Sequence, residues 1–205
     1  MPSPLARGFY LRDPRQVARE LLNKLLVCGG RVGRIVEVEA YLGSIDPASH
    51  AYRGPTPRNG VMFGPPGRMY VYRSYGMHWC ANAVCRPEGV GEAVLLRALA
   101  PVSGVEEMRG ARFQGQRHPL ADRDLCRGPG RLCQALGISG SFNGADLVTG
   151  ELGVWVGDDG VAPPATPGAS VRVGLTKGAE HPWRYFVAGD RHVSGPTTAR
   201  ATGVG

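Results

Sequence analysis

Apolar residues recur at helical spacing after Asp13 and Pro14. Val17, Ala18, Leu21, Leu22, Leu25 and Leu26 fall on one face of a helix that Asp13 caps and Pro14 starts. Gly29-Gly30 turns the chain into a strand with a different pattern. Read as a regular strand, it points Ile35, Glu37, Glu39 and Tyr41 one way and Val36, Val38 and Ala40 the other. The apolar trio suits a core, which leaves two acids and an aromatic ring facing something else. Residues 69–74 and 78–85 read as paired strands linked by Tyr75-Gly76-Met77. Gly76 can take the positive φ of a tight hairpin, leaving Tyr75 exposed at the tip. Residues 92–99 form another strand, with Ala93, Leu95, Arg97 and Leu99 on one face and Val94, Leu96 and Ala98 on the other. An arginine in so apolar a strand is costly unless it is paired or reaches water.

Short helices are predicted at 106–112 and 131–136, the second entered through Gly128-Pro129-Gly130, and strands at 153–156, 171–175 and 183–187. Between 43 and 67 lies a long Gly- and Pro-rich loop carrying His50, Tyr52, Arg53, Arg58 and Asn59. Connections of that length inside a domain are usually functional or disordered, and the residues carried here argue for a working loop. No repeat or linker divides the chain, so one α+β domain over residues 1–205 is expected, with about 1–8 and 195–205 flexible.

Composition narrows the setting. A formal charge of +7 and a pI near 9.5 favour polyanionic partners such as nucleic acid, although only Lys24 and Lys177 among 24 basic residues are lysines. The five cysteines include no C-x-x-C pair. An odd number of them reads as reduced and intracellular, and Cys126 and Cys133 read as buried thiols rather than zinc ligands. No apolar run approaches the roughly 18 residues of a membrane span, and the first residues lack the apolar core of a secretion signal. A cytoplasmic monomer without membrane contact is expected, and the sequence implies neither metal nor organic cofactor.

The candidate chemistry lies on the acids and tyrosines. Glu37 and Glu39 sit roughly 7 Å apart along the strand, a spacing that would suit an inverting glycosidase acting on sugars; equally, they could pair with Arg34 or Arg97. Tyr41 beside them offers a stacking surface. A loop histidine such as His50 is ordinarily structural, and Tyr70 and Tyr72 on one strand face ordinarily pack. Tyr75 has no core to join and is either an incidental surface residue or a wedge for a partner. Asn82 has the donor and acceptor needed to read a base edge.

Six motifs then occur in one order: V-E-V-E-A-Y-L-G (36–43), T-P-R-N (56–59), Y-V-Y-x-x-Y-G-M (70–77), Asn82, L-L-R-A-L (95–99) and G-P-G-R-L-C-Q-A-L (128–136). From Phe9 to Val193 the chain resembles the alkyladenine-type 3-methyladenine DNA glycosylases. It departs at Val38, where many members have Thr, and in a small insertion around 87–91. The resemblance implies a curved, mostly antiparallel sheet with flanking helices and a protruding hairpin. It implies a base-excision enzyme that flips alkylated, and in some cases deaminated, purines out of double-stranded DNA. Glu39 matches the general base and Arg97 its companion in holding the attacking water. Tyr41, His50 and Tyr72 match the pocket around the flipped base, and Asn82 the side chain that crowds normal guanine. Tyr75 matches the intercalating residue, while Met77, Gly130 and Arg131 fall where the family touches the DNA backbone.

A bifunctional glycosylase needs an amine nucleophile, and neither Lys24 nor Lys177 belongs to this constellation. A water-using, monofunctional enzyme is therefore expected. The alternative is a non-catalytic nucleic-acid-binding or lesion-sensing module, which would keep the basic surface and Tyr75 without needing Glu39 and Arg97 together.

Overall fold

The computed structural model describes residues 2–113, 118 and 120–195, among which lie nine strands and five α-helices. They are β1 (Ser3–Pro4), α1 (Arg7–Tyr10), α2 (Pro14–Leu21), β2 (Leu25–Cys28), β3 (Arg31–Tyr41), β4 (Met69–Ser74), β5 (His78–Cys85), β6 (Glu92–Ser103), α3 (Val105–Arg112), α4 (Asp122–Leu125), α5 (Pro129–Leu136), β7 (Val154–Asp158), β8 (Gly168–Ser170) and β9 (Arg184–Phe186). Asp13 caps α2 as expected, its carboxylate accepting the Arg15 N–H at 2.8 Å. The helix stops at Leu21, however, and Leu25 and Leu26 belong to β2. The run L-L-N-K-L-L-V satisfies both periods, and pairing with β3 and β7 decides for the strand.

All strand pairs are antiparallel, in the order β1-β7-β2-β3-β6-β5-β4. The early part of β3 lies beside β2, and its later residues Glu37–Glu39 lie beside β9. Helices α2 and α5 pack against this sheet and α3 packs on α5, enclosing a core that includes Leu21, Leu26, Val38, Leu96 and Leu132. The curled sheet and its helices make one α+β domain. Residues 3–10 hold β1 and α1, and Leu5 is buried because β1 pairs with β7. One expectation is corrected here. Residues 171–175 are not a strand; β8 ends at Ser170 and the chain then runs irregularly. The segment expected to be loose after 195 lies outside the described residues.

The face pattern of β3 and β6 is also corrected. Register shifts fall between Ile35 and Glu37 and between Glu37 and Val38. Ile35 therefore joins Val38 and Ala40 in the main core, and Leu99 joins Val94 and Leu96 there, while Val36 and Ala98 pack in a separate cluster. Each strand thus carries one extra residue at this point. Bulges of this kind re-aim side chains beside working sites. Here they leave Glu37, Glu39 and Arg97 on the side away from the helices.

Candidate active site

Cross-strand pairing sets five residues in a row across the sheet. Tyr70 on β4 lies opposite Asn82 on β5, Asn82 opposite Leu95 on β6, Leu95 opposite Glu39 on β3, and Glu39 opposite Arg184 on β9. At about 4.8 Å per strand, Tyr70 and Glu39 stand roughly 14 Å apart across the row. Above it opens a cavity of about 450 Å³ whose lining includes Tyr41, His50, Tyr72, Asn82 and Arg97. Residues named from sequence on five different segments therefore share one cavity.

Glu39 is fully buried beside this cavity. Its Oε1 accepts the Val173 N–H at 2.8 Å and meets Arg97 Nη1 at 3.2 Å, and its Oε2 accepts the Tyr41 hydroxyl at 2.9 Å. Glu37 does not share its position. Its Oε1 accepts Arg97 Nε at 2.8 Å and Arg184 Nε at 2.7 Å, and its Oε2 accepts the Ser194 N–H. Glu37 is thus held by two arginines, whereas all three partners of Glu39, namely Tyr41, Arg97 and Val173, line the cavity. Burial works against the Arg97 charge, but Glu39 and Glu37 together raise its pKa above the ordinary arginine value. Burial raises the Tyr41 phenol, and the neighbouring Glu39 raises it further, so this hydroxyl remains a donor to the carboxylate.

The aromatic wall is layered. Tyr70 and Tyr72 stack at 5.5 Å, and the His50 ring meets Tyr72 edge-on at 4.4 Å. His50 Nδ1 lies 3.1 Å from the Tyr70 hydroxyl. Desolvation of the imidazole and the nearby Arg58 charge push its pKa below the ordinary histidine value, favouring the neutral ring. Asn59 orders this loop by donating to the carbonyls of His50 and Gly54. Asn82 donates to the Tyr70 carbonyl at 3.0 Å, which fixes its amide at the cavity wall.

At the hairpin tip both Tyr75 and Gly76 have positive φ, +49° and +68°. Tyr75 is 87% exposed and Met77 67% exposed. A bulky residue in this conformation with so little packing is uncommon. Gly130 and Arg131 open α5 beside a second cavity reaching to Tyr75, Met77 and His78, with Arg112, Arg127 and Arg131 in its lining. A Cβ at Gly130 would stand 2.9 Å from the His78 Cβ, so glycine permits this close approach of helix and hairpin.

Sequence reading missed the irregular segment 173–175, which lines the first cavity and supplies the Val173 N–H to Glu39. Its alternating V-R-V-G-L pattern suggested a strand instead. Tyr70 was read as packing, although it also engages His50; its shared face with Tyr72 was the available signal. The five cysteines are buried free thiols, which was the reading of Cys126 and Cys133. No helix among the described residues is long and apolar enough to cross a membrane.

The family model for methylpurine-DNA glycosylases matches residues 8–191. A protein of Burkholderia lata is 56% identical over 96% of this chain and 93% of its own length. One from Rhodopseudomonas palustris is 49% identical over 94% and 88%, and one from Frankia casuarinae 48% identical over 97% and 95%. Each bears the name "Putative 3-methyladenine DNA glycosylase". A match over nearly the whole sequence, with a tyrosine-walled cavity beside a buried glutamate, makes this chain a member of the methylpurine-DNA glycosylase family.

Proposed function

We propose that this protein acts in the cytoplasm as a monomer and removes alkylated purines, 3-methyladenine among them, from double-stranded DNA. The observation that carries the reading is Glu39, a buried carboxylate held by three donors beside a tyrosine-walled cavity. A glycosylase cannot reach its bond inside the base stack, so it must extrude the nucleotide at a cost of a few kcal/mol. Tyr75 offers the exposed ring to fill the gap, and Tyr41, Tyr72 and His50 offer faces and edges to the extruded base. An alkylated purine is cationic, and its attraction to electron-rich rings is worth about 0.5–2 kcal/mol.

In the proposed step Glu39 takes a proton from water as the oxygen bonds to C1′ of the nucleotide. The glycosidic C–N bond breaks and its electron pair leaves with the purine, which neutralises an alkylated base. Arg97 orients the carboxylate from its side. The product is an abasic site. Neither lysine lines the cavity, and Lys24 pairs with Asp158 at 2.8 Å, which favours water over an amine as nucleophile.

Duplexes carrying 3-methyladenine or hypoxanthine, incubated with the protein and then treated with alkali, should break at the lesion. Borohydride should trap no covalent adduct. Intact strands after alkali treatment, with binding retained, would favour a lesion-sensing module instead.

Tyr75→Ser separates the wedge from the fold. Since Tyr75 packs so little, the melting temperature should stay within the small range of surface substitutions, about ±0.5 kcal/mol in stability. Excision at limiting enzyme should fall about tenfold or more as the extruded state loses its wedge. A variant with unchanged excision would leave Tyr75 as an incidental surface residue.

A further inference from the structure

Three walls of the cavity meet on one buried side chain that does not line it. Arg172 is 3% exposed, and its guanidinium grips the Asp46 carboxylate at 2.5 and 2.8 Å. It also donates to the Ala40 carbonyl at 2.9 Å and the Gly178 carbonyl at 3.0 Å. Its carbon centre lies 4.5 Å from the Tyr41 ring centroid and 5.0 Å from that of Trp183. Asp46 in turn accepts the N–H groups of Leu42 and Ala48, so the same pair orders the start of the loop that carries His50.

The consequence reaches Glu39 by two routes. Tyr41, stacked on Arg172, donates its hydroxyl to Glu39 Oε2, and the residue next to Arg172 donates its backbone N–H to Glu39 Oε1. Both neutral donors to this carboxylate are thus anchored by one guanidinium. A buried ion pair is weak evidence of a stabilising role, since apolar replacements of both partners are often neutral or better. A fork satisfying acceptors on three segments is instead suited to fixing their relative placement.

We infer that Arg172 is a positioning residue for glycosidic-bond hydrolysis, holding the Tyr41 hydroxyl and the Val173 N–H so that Glu39 stays oriented toward the attacking water. This rests on the reading of Glu39 as the base. It acts through other residues and touches no reacting atom.

The test is single-turnover excision from a 3-methyladenine duplex, with rates normalised to titrated active sites and measured over a range of enzyme concentrations. Arg172→Lys keeps a cation but loses the fork. The double variant Asp46→Asn/Arg172→Gln removes both charges and orphans neither. In each the maximal rate should fall about 10–100-fold, the scale on which small misplacements act, with half-saturation changed less than about twofold. Tyr41→Phe should slow these variants far less than it slows the wild type, because one pathway is already lost.

Wild-type maximal rates, weakened binding at an unchanged maximal rate, or fully additive effects with Tyr41→Phe would each overturn the inference. So would failure of both variants to fold, which would assign the pair to stability alone. Glu39→Gln run alongside separates the two readings. Activity retained there removes Glu39 as the base. An inactive Glu39→Gln beside wild-type-like Arg172 variants removes only the positioning role.

Discussion

Glu39→Gln should slow excision of 3-methyladenine by about 10²–10⁴-fold, the usual contribution of a positioned general base, while duplex binding persists. The substitution preserves shape. A carboxamide oxygen can still accept the Val173 N–H, and Arg97 keeps Glu37 as a partner. What disappears is the group able to take a proton from water. Single-turnover assays read this directly, because the rate under saturating enzyme isolates the bond-breaking step from binding. Near-wild-type rates would remove Glu39 from the mechanism, and with it the argument from the carboxylate beside the tyrosine cavity. The variant should remain folded with a lowered melting temperature, since one negative charge is gone from a buried cluster that still contains Arg97 and Arg184.

The second large effect concerns stability. Glu37→Ala should cost about 3–5 kcal/mol, the range seen when one member of a buried ion cluster is removed and its partners remain charged. At this chain length each kcal/mol moves the melting point by about 2–4 °C, so a fall of roughly 10 °C is expected. Arg184 is only 1% exposed and Arg97 7% exposed, so neither can readily turn to water for compensation. Removing Arg184 in the same chain should recover part of the loss, because Arg97 retains Glu39. Calorimetry on the single and double variants decides the matter. A Glu37→Ala protein that melts with the wild type would mean that the cluster contributes nothing to the fold.

These two acids stand two residues apart, and the sequence distinguished them only in part. The composition of β3, a hairpin with a tyrosine at its tip and the long His50 loop were legible because each is local: alternation, a glycine at the turn, a run of loop-forming residues. The paired irregularity on β3 and β6 was not. A bulge is a property of two strands together, and nothing in Ile35-Val36-Glu37 alone says that β6 also carries an extra residue opposite. Regular alternation consequently put Ile35 on the wrong side. Residues 171–175 failed for a related reason. Valines alternate there as in a strand, but Val171 and Val173 are exposed, and the backbone that would have joined a ladder donates to Glu39. The Arg172–Asp46 pair spans 126 positions and leaves no local trace at either residue.

The segment from Arg172 to Ser194 closes the candidate site, and that has a consequence for synthesis. During translation the tyrosines, Glu39 and Arg97 all leave the ribosome first, and the early strands can begin to pair. Until the last part of the described chain emerges, Glu39 lacks its Val173 donor and Glu37 lacks both Arg184 and the Ser194 N–H. Contacts so distant in sequence form late, because the loop they close must be ordered before they reward it. A nascent chain halted before Arg172 would therefore carry every tyrosine of the cavity and still have no assembled carboxylate. Competence would arrive only once the segment through Ser194 has emerged.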